Sequence, residues 1–110
     1  MKDAQKEYDT LVEIMEDTGE AKASKMFGMP CIKNNKGKAF AGYYNGDATF
    51  KLPQNIIQQW LGNKGAKLFD PMGSRPMKEW LQLSAEHASH WPELAKEAMK
   101  YVKESGERRA

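Results

Sequence analysis

The sequence holds one cysteine and two histidines in 110 residues. A single thiol excludes an intramolecular disulfide, and so few soft ligands give little with which to build a zinc centre. No apolar run approaches the ~20 residues needed to cross a bilayer, so a membrane partner is not expected. No basic-then-apolar leader is read over Met1 to Glu20, which argues against secretion and makes the cytoplasm the expected location. Charge of one sign is not in excess either: seventeen basic and fifteen acidic side chains leave +2. That balance neither demands nor excludes a nucleic-acid partner. Internal repeats, linkers and low-complexity tracts are lacking. The length suits one domain over 1–110, able to fold without cross-links, with 1–2 and 106–110 as frayed ends.

What is there is a run of strands from Lys25 to Leu52. Asn45-Gly46 sits between aromatic and apolar stretches, and a two-residue Asn-Gly loop is a strong hairpin signal because both positions need positive φ. It predicts Lys38 to Tyr44 and Asp47 to Leu52 as antiparallel neighbours. Upstream, Asn34-Asn35-Lys36-Gly37 predicts a second reversal, between Cys31 to Lys33 and Lys38 to Tyr44. Gly28 and Pro30 predict a bulge or sharp corner after Met26-Phe27. Alternation places Phe40, Gly42 and Tyr44 on one side of their strand. In the next strand it places Ala48, Phe50 and Leu52 on one side, with Asp47, Thr49 and Lys51 on the other. One apolar and one mostly wet face predict an antiparallel sheet covered by helices on one side.

The rest reads as helices and returning strands. Ala4, Tyr8, Leu11, Val12 and Met15 recur at helical spacing between an Asp3 cap and a Gly19 stop. Pro53 opens a short helix with Ile56, Ile57, Trp60 and Leu61 inward, ended by Gly62-Asn63-Lys64-Gly65. Ala66 to Phe69 and Met77 to Ser84 are predicted strands around an Asp70 to Pro76 loop, Leu81 and Leu83 opposing Trp80 and Gln82. Trp91, Leu94, Ala95, Ala98, Met99 and Val102 make one face of a last helix capped by Ser89, with Lys100 and Lys103 near its negative end. The predicted class is α+β: an antiparallel sheet of five or six strands, a β-meander, covered by N-terminal, middle and C-terminal helices.

Several short motifs occur in series: Lys25-Met26-Phe27-Gly28, Gly37-Lys38-Ala39-Phe40-Ala41-Gly42, Phe50-Lys51-Leu52, Phe69-Asp70-Pro71-Met72-Gly73 and Arg75-Pro76-Met77-Lys78-Glu79-Trp80. In this order, over about Lys22 to Val102, they resemble the TfoX N-terminal domain family, also called TfoX/Sxy-like and named after a bacterial competence regulator. The resemblance implies an α+β domain with an antiparallel sheet and supplies no catalytic residues. In the regulator such a domain is joined to a second one that this sequence does not contain, and a glycine common in the regulator's opening motif is Met29 here. A stand-alone module, regulatory or interacting, is the expectation.

Chemistry-bearing residues are few. Cys31 with His87 or His90 would make a thiol enzyme only if a base lay within reach and the thiol pKa were lowered. A strand cysteine reads more simply as a small half-buried hydrophobe. The same three residues have no metal-ligand spacing, and neither metal nor cofactor is expected. Gly62-Asn63-Lys64-Gly65 follows a helix instead of opening one, so it reads as a C-cap and not a phosphate cradle. Glu13, Glu16, Asp17 and Glu20 read as solvated surface. Met26, Met29, Met72 and Met77 flank the irregular turns, as core filling or as an adaptable groove. Two binding surfaces follow. Tyr43 with Lys33 and Lys51 on the wetter sheet face would suit a weak nucleic-acid binder. Arg75, Lys78 and Trp80 beside a Pro-Gly loop are typical anchors for a protein partner or a second copy, and this is the preferred reading.

Overall fold

The computed structural model describes residues 3–26, 28–71, 73–74 and 76–108. Helix α1 (Ala4–Glu16) begins where predicted, with Asp3 Oδ1 accepting the amide hydrogens of Gln5 at 3.1 Å and Lys6 at 3.3 Å. These bonds satisfy two of the donors that a helix start leaves open. It ends as Thr18 Oγ1 donates to the Met15 carbonyl at 2.7 Å and Gly19 turns left-handed at φ 76°.

Six strands follow: β1 (Ala21–Met26), β2 (Met29–Asn34), β3 (Ala39–Tyr44), β4 (Asp47–Lys51), β5 (Ala66–Phe69) and β6 (Met77–Leu83). Helix α2 (Gln54–Leu61) lies between β4 and β5, and a 3₁₀ segment (Ala85–His90) leads into α3 (Trp91–Arg108). The strands form one antiparallel sheet in the order β1-β2-β3-β4-β6-β5. The chain therefore meanders through four strands, crosses by α2 to the far edge, and returns in β6 to pair with both β4 and β5. The predicted α+β class and its three helices are present.

The turns follow from the residues that make them. Asn45 and Gly46 both have positive φ, 52° and 85°, as a two-residue hairpin requires. The corner foreseen at Gly28 is itself a hairpin, with Met26 pairing with Met29 across it. Its first strand starts at Ala21, before the stretch in which strands were predicted. The β2–β3 reversal is built around Asn34, whose Oδ1 accepts the amide hydrogens of Lys36 at 3.0 Å and Lys38 at 2.9 Å.

One face of the sheet carries the main core. Ile32 pairs with Ala41, Ala41 with Phe50, and Phe50 with Leu81, so these side chains share a side. Tyr8, Leu11 and Met15 of α1, Ile57 of α2 and Trp91, Leu94 and Ala98 of α3 close over it. Burying side chains of this kind contributes about 1.5–3 kcal/mol each.

The structure corrects three details. Lys33 pairs with Ala39 while Ile32 pairs with Ala41, so Phe40 is an extra residue in a β-bulge. The bulge moves Phe40 out of strict alternation and into the main core, away from the side of Gly42 and Tyr44. Ser89 caps nothing, because the 3₁₀ segment already coils from Ala85. Helix α3 also continues through 106–108, which were expected to fray.

Candidate functional site

The helix-free face of the sheet is the surface on which most of the predicted binding residues converge. Cys31 pairs with Gly42, Gly42 with Thr49, and Thr49 with Gln82, which places these four on one side. By alternation Lys33, Tyr44, Lys51, Lys67 and Trp80 join them. The middle of this face was expected to be wet, and it is not. Trp80 is only 8% exposed and Phe69 4%. Their rings lie 6.4 Å apart, and Tyr44 meets Phe69 edge-on at 5.2 Å. A second, smaller apolar cluster therefore covers strands whose other face is already core.

Two predicted site residues change role. Trp80 is a buried member of that cluster and not an exposed anchor, because residue alternation in β6 turns it away from Leu81 toward Phe69 rather than toward solvent. Tyr43 faces the helices, with its ring 5.0 Å from that of Tyr8 in α1, and so it does not share a surface with Lys33 and Lys51. Its β4 partner, Ala48, is fully buried in the main core. Arg75 lies outside the described residues. Lys33 is half-buried, Lys78 is exposed at the start of β6, and Lys51 lies 3.6 Å from Glu79.

Between β2, β3 and Trp80 the face dips into a depression lined by Met29, Cys31, Gly42, Tyr44, Thr49 and Phe69, with a volume of ≈ 10 Å³. That is room for about one water, too small for a substrate. Cys31 at its base is 2% exposed. Burial pushes its thiol pKa up, and the nearby Lys33 ammonium only partly offsets this, so the nucleophilic thiolate is disfavoured. His87 and His90 are occupied elsewhere. Both pack edge-on against Trp60, at 5.4 and 5.3 Å, and His87 Nε2 lies 2.7 Å from the Lys64 carbonyl oxygen. No base is brought to the thiol, and among the described residues no group of three metal-ligating side chains gathers.

Polar groups on this face are mostly spoken for. Gln82 Nε2 donates to Asp47 Oδ2 at 2.7 Å, and Glu79 is paired with Lys51. What is left exposed is a rim of lysines at 22 and 67, with half-buried Lys33 and Lys51 between them. Beside them is Met77, 38% exposed and opposite Phe69 in the register. Sequence reasoning preferred core filling over groove lining for Met77, and its exposure corrects that reading. Its place just after the Asp70 to Pro76 loop, where β6 has lost regular pairing with β5, is why it is uncovered. No helix among the described residues is long and apolar enough to cross a membrane. No protein-family model matches the chain, and neither a curated protein nor a solved structure does.

Proposed function

We propose that this chain is a TfoX N-terminal-like domain acting as a non-enzymatic interaction module, and that its helix-free sheet face docks a protein whose contact surface is acidic. The observation that carries this reading is the charge of that face. Exposed Lys22 and Lys67 and half-buried Lys33 share this face with partly exposed Met29 and Tyr44, while Lys51 and Glu79 pair with each other and Asp47 accepts from Gln82. An apolar middle with a charged rim is the usual anatomy of a protein interface. The antiparallel α+β architecture is the one that the family resemblance implies. The closed depression and the raised thiol pKa speak against catalysis by Cys31. A nucleic-acid reading loses Tyr43, the aromatic it rested on, which faces the helices.

The test is affinity capture from native cell extract with nuclease present, comparing wild type with a Lys33→Glu/Lys67→Glu variant and a control, Lys6→Glu, on α1. A partner retained by wild type and the control but lost by the double variant is the expected result. Recovery that nuclease abolishes, or that the double variant leaves intact, overturns the reading. A thiol assay adds an independent check. Alkylation of Cys31 in the folded protein should run at least about tenfold slower than in urea, as a buried protonated thiol requires, and a rate above that of a free thiol would restore the enzyme hypothesis.

A further inference from the structure

A cleft on a different part of the molecule, between the β2–β3 turn and α3, carries an inference of its own. It has a volume of ≈ 390 Å³ and is lined by Lys36, Lys96, Lys100 and Lys103 together with Glu20, Asn34, Asn35 and Met99. We propose that this cleft binds a nucleoside polyphosphate, its phosphates held by the four lysines and its apolar body resting on Met99.

The volume falls within the range of about 300–1,000 Å³ typical of small-ligand sites. Four lysines against Glu20 leave a local charge of +3, a match for a di- or triphosphate. Among the described residues the ion pairs are Lys51 with Glu79 and His90 with Glu93, neither of them at this cleft. Helix termination does not account for them. Lys96, Lys100 and Lys103 all lie more than one turn before the end of α3 at Arg108, and the helix dipole acts within the last turn. At about 100° per residue the three fall within about 60° of arc. Glu93, Glu97 and Glu104 lie on the adjoining flank of α3.

The opposite wall is fixed in advance. Asn34 is buried, its Oδ1 accepts the amide hydrogens of Lys36 and Lys38, and its own amide hydrogen goes to the Lys38 carbonyl at 2.9 Å. The turn therefore presents Lys36 from a rigid backbone, which lowers the ordering cost of binding. Met99, half-buried at the cleft floor, offers the flexible apolar contact that a base or sugar face needs and a bare phosphate does not. The cleft shares no residue with the helix-free face, so the two readings stand or fall separately.

The test is calorimetric titration of the intact chain with ATP, inorganic triphosphate, adenosine and a single-stranded oligonucleotide, at low and moderate salt. Wild type should bind ATP saturably, more tightly than either triphosphate or adenosine alone. Lys36→Gln/Lys100→Gln should weaken this at least about tenfold, in line with the loss of two charge contacts, while Lys6→Gln on α1 leaves it unchanged. These side chains are exposed, so thermal melting should show every variant folded. Absence of saturable ATP binding, equal affinity for triphosphate and ATP, indifference to the double substitution, or tighter binding of the oligonucleotide would each overturn the proposal.

Discussion

The hydroxyl of Tyr8 is buried between α1 and the sheet, and no described residue pairs with it. Burial pushes its pKa well above the usual value of 10.0, and the neighbouring Cys31 and Asp9 add to the rise. The folded state thus holds this proton more tightly than the unfolded state does. Below about pH 10 both states keep the proton and its contribution is fully present; as pH rises beyond that, only the unfolded chain ionises and stability falls until the folded pKa is reached. Cys31 acts in the same sense, starting from a lower ordinary value of 9.0. Urea midpoints measured from pH 8 to 11 should therefore fall less steeply in Tyr8→Phe than in wild type. At neutral pH the variant should be as stable or up to about 1 kcal/mol more so, since an unpaired donor is removed. Equal alkaline slopes would mean that Tyr8 ionises freely in the fold. The apolar company of Tyr8 was legible in the helical spacing of Leu11 and Met15. Its orphan hydroxyl was not, because satisfaction depends on what α1 meets across the sheet.

At the level of the strands, Gly42 in β3 is required by space and not by dihedral angle. A Cβ there would sit 2.9 Å from Thr49 Oγ1 and 3.2 Å from the Pro30 carbonyl oxygen, with Cys31 Cβ at 3.8 Å. Gly42→Ala should lower stability by about 1–3 kcal/mol, as overpacking does. Adding Thr49→Ala should recover only part of that loss, because the Pro30 contact is backbone; full recovery would show that the side chain alone sets the limit. The β3–β4 hairpin shows what periodicity can and cannot give. Period-two alternation placed Ala48, Phe50 and Leu52 inward and Asp47, Thr49 and Lys51 outward, and the register agrees. It failed at Phe40, where one extra residue in a bulge shifts the phase, and no residue type near it signals a bulge. It put Tyr43 on the correct alternate position, but the side was named from Phe40, so the phase error carried Tyr43 to the wrong face. Trp80 was likewise placed opposite Leu81 correctly. That its side of the sheet is largely dry depends on Phe69 arriving from a strand paired across the crossover, and no local pattern contains that.

For the whole molecule, an open sheet poses the question of its two edges, since unpaired strand backbones invite pairing with another chain. The β5 edge is four residues long, too short to be a good template. The β1 edge is six residues long, and its outer side is managed by α1: Glu16 Oε2 accepts the Ala23 amide hydrogen at 3.2 Å. Exposed Lys22 and Lys25 flank that residue, and charge on an edge strand repels a second copy. In the sequence Glu16 read only as solvated surface; its role arises because the turn after α1 lays β1 alongside the helix it came from. These protections argue that contact with a partner is made by a face and not by edge-to-edge strand addition. Glu16→Ala should speed hydrogen exchange at Ala23 at least about tenfold, since an edge amide that loses its acceptor is open to solvent. Glu16→Ala combined with Lys22→Val and Lys25→Val should make the chain associate with rising concentration in light scattering, whereas wild type under the same conditions keeps the mass of a monomer. If wild type dimerises and the triple variant dimerises no further, β1 is not a guarded edge, and self-association moves to the helix-free face, where Lys33→Glu/Lys67→Glu would then dissolve it.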